Sequence, residues 1–409
     1  MTGPTELPAL PDARFAGLRA EAEALQPTTI ALRRAVHRHP ELGLQLPQTQ
    51  QAVRDAIADL PLEITPGSAT TSLTAVLRGA RPGPAVLLRG DMDALPMPED
   101  TGVDYASEVA GAMHACGHDT HTAMLASAAR LLAARTDELA GSVVFMFQPG
   151  EEGHHGARHM IHEGVLDAAG PRVERALGLH IFANLPSGVI ATRPGPVMAS
   201  ADNFFIRVTG KGGHGSMPHN AVDPVPAAAA MVGALQTMIT RRISISDPAV
   251  LSVTRIEAGT TTNVIPETAV LEGTIRTLSE KTRALVHAEL PKVCSGIAAA
   301  HGCRVLADIE PCYPSTVNDA AEAQRVLDLA GEVLGADNAV ELPDPFMGAE
   351  DFSYVLQRVP GAFAFLGACP PGTSPDEAAP NHSNRVDYDE AAMANGVALY
   401  AAFALDALR

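Results

Sequence analysis

Residues 111–132 read GAMHACGHDTHTAMLASAARLL, and the rest of the chain is interpreted outward from this stretch. Its potential metal donors lie within eight residues and are His114, Cys116, His118 and His121. On an extended loop, residues two apart project to the same side, so Cys116 and His118 can reach one ion while Gly117 lets the backbone turn. A thiolate with an imidazole suits zinc or another late first-row divalent metal. A helix capped by Asp119, with histidines scattered by chance, is the alternative, but so many donors favour metal binding.

The composition limits the class of protein. A chain of 409 residues exceeds the size at which single cores stop growing, so two domains are expected. The net charge of -18, with only three lysines, leaves no basic stripe for nucleic acid or anionic lipid. The 5 cysteines are odd in number and dispersed, which argues against a secreted disulfide framework and for a reducing cytosol.

The sequence shows neither an export signal nor a membrane span. The N-terminus lacks a positively charged segment followed by an apolar core. The longest apolar run, at residues 225–235, is about half of the roughly 20 residues that a membrane span needs. We therefore expect a cytoplasmic protein without a membrane partner.

Several apolar strand patterns end in side chains that can bind a metal or move a proton. They are Asp91 and Asp93 after strand 84–89, Glu151 and Glu152 after strand 142–147, and His180 near the end of strand 176–181. In α/β sheets this edge is where sites form. Taken singly, the aspartates are better explained by a solvated turn than by a functional site, and the glutamates equally well by either. His180 taken singly is better explained as a core histidine than as a ligand. Because they occur together, with His382 in a later Pro/Asn turn, they suggest one site.

The order of helical and strand patterns predicts an α/β protein with an inserted domain. Helical periodicity covers residues 28–39 and 48–60, and a strand pattern covers 72–78. Residues 200–310 read β-α-β-β-α-β, with strands at 203–209, 249–258, 269–278 and 304–310 and helices at 223–241 and 280–301. The α/β pattern resumes at residue 316 and ends in a helix at 389–408. The predicted domains are 1–199 and 313–409, which form the catalytic domain, and 200–312, which forms the insertion.

The donors also set the expected number of ions. Five nitrogen, oxygen or sulfur ligands exceed what one tetrahedral ion uses, so two ions that share a bridging ligand are expected. Such a pair activates water. A helix after the glutamates carries His155, His159 and His162 on one face, which we interpret as a surface stripe and not as ligands.

Ordered motifs along nearly the whole chain resemble a known family. They are RGDMDALP (89–96), HACGHD (114–119), QPGEEG (148–153), GLH (178–180), GKGGHGSMPH (210–219), TTNVIP (261–266), GTIRT (273–277), GAEDFSY (348–354) and NHS (381–383). The chain is similar to the co-catalytic metallo-amidohydrolases that include aminoacylases, hippurate hydrolases and plant auxin-conjugate hydrolases. The resemblance implies a metallopeptidase-like catalytic domain with a mixed sheet.

The resemblance also implies a role for each matching residue. The implied metal ligands are Cys116, His118, Glu152, His180 and His382, with the Cys116 thiolate as the bridge. Glu151 is the implied general base, and Asp93 matches the aspartate that orients the ligands. Asp91 stands where the wider peptidase superfamily has a histidine ligand, so we expect His118 to supply that imidazole and Asp91 to lie outside the set of ligands.

The inserted domain carries the implied substrate contacts. His214 matches a histidine that reaches into the neighbouring subunit's site, and Asn263 and Arg276 match groups that hold substrate. The family dimerises through this domain, so a homodimer or a dimer-based homotetramer is expected. One departure concerns His154 and His155, which stand where relatives have a glycine-rich run and put the local pocket shape in question.

The implied reaction is hydrolysis of the amide bond of an N-acyl-L-amino acid. Glu151 takes a proton from the attacking water and returns it to the leaving amine, His214 stabilises the developing oxyanion, and Arg276 binds the free carboxylate. Manganese is the expected ion, with zinc, cobalt or nickel as alternatives. A dipeptidase or a biosynthetic N-acetyl-diaminopimelate-type deacetylase remains open, as does a non-catalytic metal sensor, against which the intact Glu151 argues.

Overall fold

The computed structural model describes residues 15–409; residues 1–14, on which the expectation of an unexported chain partly rests, lie outside the described residues. The helices are α1 Leu18–Arg38, α2 Pro47–Ala56, α3 His118–Ala133, α4 Gly156–His162, α5 Pro224–Arg242, α6 Glu280–Ala300, α7 Ala320–Leu334, α8 Ser353–Leu356 and α9 Met393–Ala407. The strands are β1 Leu62–Pro66, β2 Leu73–Arg78, β3 Arg81–Asp91, β4 Ala140–Gln148, β5 Val173–Phe182, β6 Ile190–Thr192, β7 Gly195–Met198, β8 Ala201–Thr209, β9 Gly213–His214, β10 Ala249–Ala258, β11 Val264–Ile265, β12 Thr268–Thr277, β13 Arg304–Tyr313, β14 Thr316–Asn318, β15 Ala339–Glu341 and β16 Gly361–Gly367. None of the helices in this described range is both long and apolar enough to cross a membrane.

The chain forms two compact units. The first contains residues 15–195, Asn318–Pro343 and Tyr354–Arg409, and the second contains Pro196–Val317 and Asp344–Ser353. The predicted role of residues 200–312 as a dimerisation domain stays a prediction.

The first unit is built on an eight-stranded mixed sheet in the order β1-β2-β4-β3-β5-β16-β6-β15. Its central strands β4, β3, β5 and β16 run parallel to one another, whereas β1 pairs antiparallel with β2, β2 with β4, and β6 with β16. The edge strand β15 runs parallel to β6. Strands β4 and β16 are buried along their whole length, as expected for parallel strands covered on both faces. This sheet confirms the predicted α/β fold class.

The inner strands bring their ends together because they are parallel and closely in register. Asp91 at the end of β3 lies opposite Gln148 at the end of β4, and Leu88 of β3 lies opposite Leu177 of β5. Gly90 lets α3 approach this end of β3, since a Cβ at Gly90 would lie 2.8 Å from the backbone oxygen of His121. The residues that follow β3 and β4 therefore occupy the same edge of the sheet as the end of β5.

The second unit is a two-layer structure. Its antiparallel sheet has the order β10-β12-β8-β13, and the elements β8, α5, β10, β12, α6 and β13 follow the β-α-β-β-α-β order that the sequence predicts. Strand β8 alternates buried and exposed side chains, with Phe204, Ile206 and Val208 in the core beside Leu235 of α5 and Leu290 of α6. A sheet with only one face against helices accounts for this alternation.

Four helices differ from the predicted bounds, and α2 is one of them, since it ends at Ala56 and not at residue 60. Helix α1 begins at Leu18, well before the predicted residue 28, and continues through Pro27. Proline removes one backbone donor, but α1 keeps its packing against α3 and α9 on both sides of it. The last helix starts at Met393 because a 3₁₀ turn capped by Asp389 comes first. Helix α4 starts at Gly156, so His155 precedes the helix, and the predicted stripe that included it is wrong.

A buried polar network fixes α1 against the start of α3. The Oδ2 atom of Asp119 accepts hydrogen bonds from Arg33 Nε at 2.7 Å and His37 Nδ1 at 2.8 Å. Arg33 Nη1 also donates to Glu390 at 3.0 Å. Burial alone would lower the pKa of His37, but Asp119 and Glu99 outweigh it and raise that pKa to about 9. The network therefore anchors the residue that directly follows His118.

Replacing Arg33 with methionine should destabilise the protein strongly. Asp119 would keep its burial and lose a charged partner, so the free energy of unfolding should fall by about 3–5 kcal/mol. Arg34→Met is the matched control, because Arg34 pairs with the same Glu390 and stacks on the same Tyr105 but is partly exposed. Arg34→Met should lower the free energy of unfolding by at most about 1 kcal/mol. Urea denaturation followed by circular dichroism measures both, and equal losses would contradict the role given to the buried pair.

Candidate metal centre

The loop into α3 turns sharply between two buried donors. Gly117 has φ 90°, a left-handed conformation, and a Cβ there would lie 2.3 Å from a methyl carbon of Ile181. Glycine is therefore required by both its backbone angle and its surroundings. Cys116 and His118 are buried on either side of it, as the spacing in the sequence predicts.

The sulfur of Cys116 is central to the donor cluster. Cys116 Sγ lies 3.3 Å from His180 Nε2 and 3.3 Å from His382 Nε2, and His382 Nε2 lies 3.3 Å from Glu152 Oε1. Donor atoms of Cys116, His118 and His180 lie within 4.8 Å of one another, and so do those of Cys116, Glu152 and His382. The structure thus brings together all five residues predicted as ligands, in two groups that share Cys116.

Local hydrogen bonds orient the two outer histidines. His180 Nδ1 donates to the backbone oxygen of Ile181 at 2.8 Å, which leaves Nε2 with its lone pair facing Cys116. His382 has φ 67°, and its backbone N–H donates to the oxygen of Ala115 at 2.8 Å. The side chain of Asn381 donates to the backbone oxygens of Cys116 and Ile181 at 3.0 and 2.9 Å. The NHS turn is thus attached to both the loop and strand β5.

Buried atoms in the cluster lack hydrogen-bond partners. They include both ring nitrogens of His118 and Oε1 of Glu152. Unpaired buried polar atoms are costly, and metal coordination would satisfy Oε1 of Glu152 and one ring nitrogen of His118. Sulfur, nitrogen and carboxylate donors in two groups that share one sulfur fit a pair of late first-row divalent ions.

The electrostatics of the cluster also favour a cation. Burial raises the pKa of the Cys116 thiol, and the nearby Glu152 and Glu151 raise it further, so a thiolate requires added positive charge. Burial alone would lower the pKa of His118, but Asp91 and Asp93 raise it to about 10. A metal ion would take the place of that proton and stabilise the thiolate.

Asp93 connects the end of β3 with the paired glutamates. Its Oδ1 accepts from the backbone N–H of Glu151 at 2.9 Å, and its Oδ2 accepts from that of Glu152 at 3.0 Å. The buried carboxylate therefore holds the loop on which both glutamates lie, a position suited to the predicted orienting role. Glu151 is buried, whereas Glu152 reaches His382.

The predicted substrate contacts lie in the second unit. Nδ1 of the exposed His214 accepts from the backbone N–H of Ser216 at 3.2 Å, so the proton of a neutral His214 ring lies on Nε2. Gly215 N–H donates to the backbone oxygen of Asn263 at 2.8 Å, which places Asn263 beside His214. Arg276 lies on β12 and donates to Thr274 Oγ1 at 2.6 Å, and burial lowers the pKa of its guanidinium. No hydrogen bond in the described part of the chain joins Arg276 to His214 or Asn263.

The histidines after the paired glutamates do not join the donor cluster. His154 is exposed, and its ring lies over Gly43. His155 has φ 58° and its Nδ1 lies 3.0 Å from the hydroxyl of Tyr354, with which it forms a hydrogen bond. A non-glycine residue in this conformation is uncommon.

Sequence reasoning missed two residues that shape the site. Asn381 appeared only within the NHS motif, and its two hydrogen bonds depend on neighbours that are distant in sequence. Arg89 is fully buried, where its Nε donates to Gln148 at 2.9 Å and its Nη1 pairs with Asp91 at 2.8 Å. An arginine that ends the apolar run AVLLRG was the signal that could have revealed it.

Comparison with known proteins places this site in a family. The model of peptidase family M20/M25/M40 matches residues 87–406. Thermostable carboxypeptidase 1 of Saccharolobus solfataricus is 38% identical over 95% of this chain and 97% of its own length. N-acetylcysteine deacetylase of Bacillus subtilis is 39% identical over 84% of this chain and 89% of its own length.

A solved structure supports the same assignment. The YXEP protein of Bacillus subtilis, a dinuclear metal-binding peptidase of family M20, superposes with a TM-score of 0.82 at 34% identity, over 94% of this chain and 99% of that one. These matches confirm the resemblance drawn from the motifs. The chain belongs to peptidase family M20/M25/M40 and is a metal-dependent hydrolase of amide bonds.

Proposed function

We propose that the chain hydrolyses N-acyl-L-amino acids, such as N-acetyl or N-benzoyl conjugates, to a carboxylic acid and a free amino acid. The observation that carries the proposal is the pair of donor groups sharing Cys116, with the buried Glu151 next to Glu152. The name of the Bacillus subtilis relative, a deacetylase of an N-acetyl amino acid, supports this substrate class. Manganese is the proposed ion, with zinc, cobalt or nickel as alternatives.

The proposed ligands are Cys116, His118, Glu152, His180 and His382, with Cys116 as the bridge. Ions bound there would supply Lewis acidity, which lowers the pKa of a water molecule and polarises the substrate carbonyl. The chain's own contribution is to hold the donors: Asp93 fixes both glutamates through their backbone, and Asn381 fixes the turn that carries His382.

Glu151 is the proposed general base and acid. It takes a proton from the attacking water and then gives it to the leaving amine. Its buried position suits this role, because Asp93 fixes the backbone from which the Glu151 side chain projects, and a group positioned in advance loses little freedom during the reaction. Glu152 faces His382, which suits ligation.

Glu151→Gln should keep its metal and lose at least about a hundredfold in turnover, because the amide cannot accept the proton. Glu152→Gln is the matched control on the neighbouring residue, and it should lower metal occupancy. Elemental analysis and steady-state kinetics on both variants measure the two effects. The opposite pattern would show that the roles of the pair are exchanged.

Arg276 and Asn263 are the proposed substrate-binding residues. A guanidinium binds a carboxylate with two parallel hydrogen bonds, so Arg276 suits the free carboxylate of the amino acid half. A carboxypeptidase or dipeptidase is the second candidate, favoured by the name of the Saccharolobus solfataricus relative. Its substrates carry the same carboxylate and differ in the group on the nitrogen.

A substrate panel tests the proposed function. Metal-free protein reloaded with each ion should cleave N-acetyl- and N-benzoyl-amino acids faster than dipeptides with the same C-terminal residue. Arg276→Met should lose about tenfold to a hundredfold in kcat/KM on these acids, the range for a hydrogen bond to a charged group. Amino acid amides with the same acyl group lack the carboxylate and should show no such loss. Faster cleavage of dipeptides would favour the second candidate.

His214 is proposed to act across a dimer interface. Its Nε2–H is the kind of donor that an oxyanion needs, and its place on β9 leaves the ring exposed. In a two-fold dimer each site would combine Glu151 of one subunit with His214 of the other. The proposed assembly is a homodimer or a dimer-based homotetramer.

Mixing two inactive variants tests this arrangement. A hybrid of Glu151→Ala and His214→Ala subunits would contain one site with both residues intact. Random exchange makes about half of the dimers hybrid, so mixing should recover roughly a quarter of wild-type activity. Native mass spectrometry must first establish that subunits have exchanged. Inactive hybrids would show that His214 serves its own subunit or no site.

A further inference from the structure

Asp91 is a fully buried carboxylate that the proposed reaction does not use. Its Oδ2 lies 2.8 Å from Arg89 Nη1 and 3.3 Å from His118 Nε2, and its Oδ1 lies 2.6 Å from His121 Nδ1. All four side chains have no exposed surface. Asp91 therefore links a buried cation and two imidazoles, one of which belongs to the donor cluster.

The hydrogen bonds of His121 fix its tautomer. The backbone N–H of Ile181 donates to His121 Nε2 at 2.7 Å, so this nitrogen carries the lone pair. The ring proton of His121 then lies on Nδ1 and is donated to Asp91. His121 has no lone pair left for a metal, and it holds Asp91 Oδ1 in place.

The two nitrogens of His118 face different surroundings. Nδ1 lies 3.4 Å from Asp93, the carboxylate that holds Glu151 and Glu152, and donor atoms of His118 and both glutamates lie within 4.8 Å of one another. Nε2 faces Asp91, whose other neighbours are the Arg89 cation and the fully used His121. The ligand side of the ring is therefore the Nδ1 side.

We propose that Asp91 is a positioning residue that accepts the Nε2–H of His118 and so directs Nδ1 of that ring to the metal. The proposal rests on the proposed metal binding by His118. A carboxylate that accepts the second N–H of a ligating histidine fixes the ring's tautomer and orientation and increases its basicity. The Oδ2 atom of Asp91 that faces His118 also lies 2.8 Å from Arg89 Nη1, so Asp91 presents an acceptor to the His118 ring.

Direct metal titration of metal-free protein tests the proposal. Asp91→Asn should weaken the binding of Mn²⁺ and Zn²⁺ by about tenfold to a hundredfold, the usual effect of removing such a partner. It should also change the absorption spectrum of the Co²⁺-loaded protein, which a general loss of stability would not do. Thr122→Val is the matched control, because Thr122 Oγ1 donates to the backbone oxygen of Asp91 at 2.8 Å and leaves the carboxylate intact. The metal affinity of Thr122→Val should stay within about threefold of wild type, a smaller change than the tenfold to hundredfold loss expected for Asp91→Asn.

A measurement on the wild type keeps the proposal testable if Asp91→Asn does not fold. Ring-labelled histidine in the Zn²⁺-loaded protein should show His118 coordinated through Nδ1 and protonated at Nε2 in ¹⁵N spectra, with His118→Gln used for assignment. Coordination through Nε2, or wild-type affinity in a folded Asp91→Asn, would overturn the role of Asp91. A wild-type protein that binds no metal would instead overturn the proposed function, so the two failures are distinguishable.

Discussion

The site depends on negative charge that is buried at one edge of a sheet. Asp91, Asp93 and Glu151 are buried there with the Cys116 thiol, and Glu152 is mostly buried beside them. Buried carboxylates are tolerated only when they are paired: Arg89 pairs with Asp91, His118 Nδ1 lies 3.4 Å from Asp93, and His382 Nε2 lies 3.3 Å from Glu152. Divalent cations bound there would add positive charge and stabilise the thiolate, which burial and the glutamates disfavour. Metal binding would therefore stabilise this buried edge.

Backbone geometry explains how so many donors fit there. The parallel strands β3, β4 and β5 end together, so residues from three segments meet without long side chains spanning the gap. Glycines allow the loops to close: a Cβ at Gly156 would lie 1.6 Å from the backbone oxygen of Pro149, below any possible contact. The donors are thereby placed by main-chain packing, which limits their freedom before any ion binds.

Sequence reasoning could predict what local patterns encode. The β-α-β-β-α-β order, the buried strands and the gathering of donors at one edge of the sheet follow from periodicity and strand ends, whereas the set Cys116, His118, Glu152, His180 and His382 came from the family resemblance. It could not predict that α1 continues through Pro27, because packing against α3 and α9 overrides a local helix breaker. The donor spacing alone could not separate His121 from His118, and only the family resemblance left His121 out of the ligand set. In the structure the backbone N–H of Ile181, which lies far away in the sequence, donates to His121 Nε2 and uses its lone pair.

Relatives with different names match most of this chain. A deacetylase and a carboxypeptidase both cleave an amide whose nitrogen belongs to an amino acid with a free carboxylate. The proposed metal donors, Glu151 as the proposed base and Arg276 as the proposed partner of the carboxylate would serve either substrate equally. The two substrates differ in the group on the other side of the carbonyl. The roles proposed for these residues involve no contact with that group. The motifs therefore indicate the reaction type, whereas the preferred acyl group depends on residues outside them.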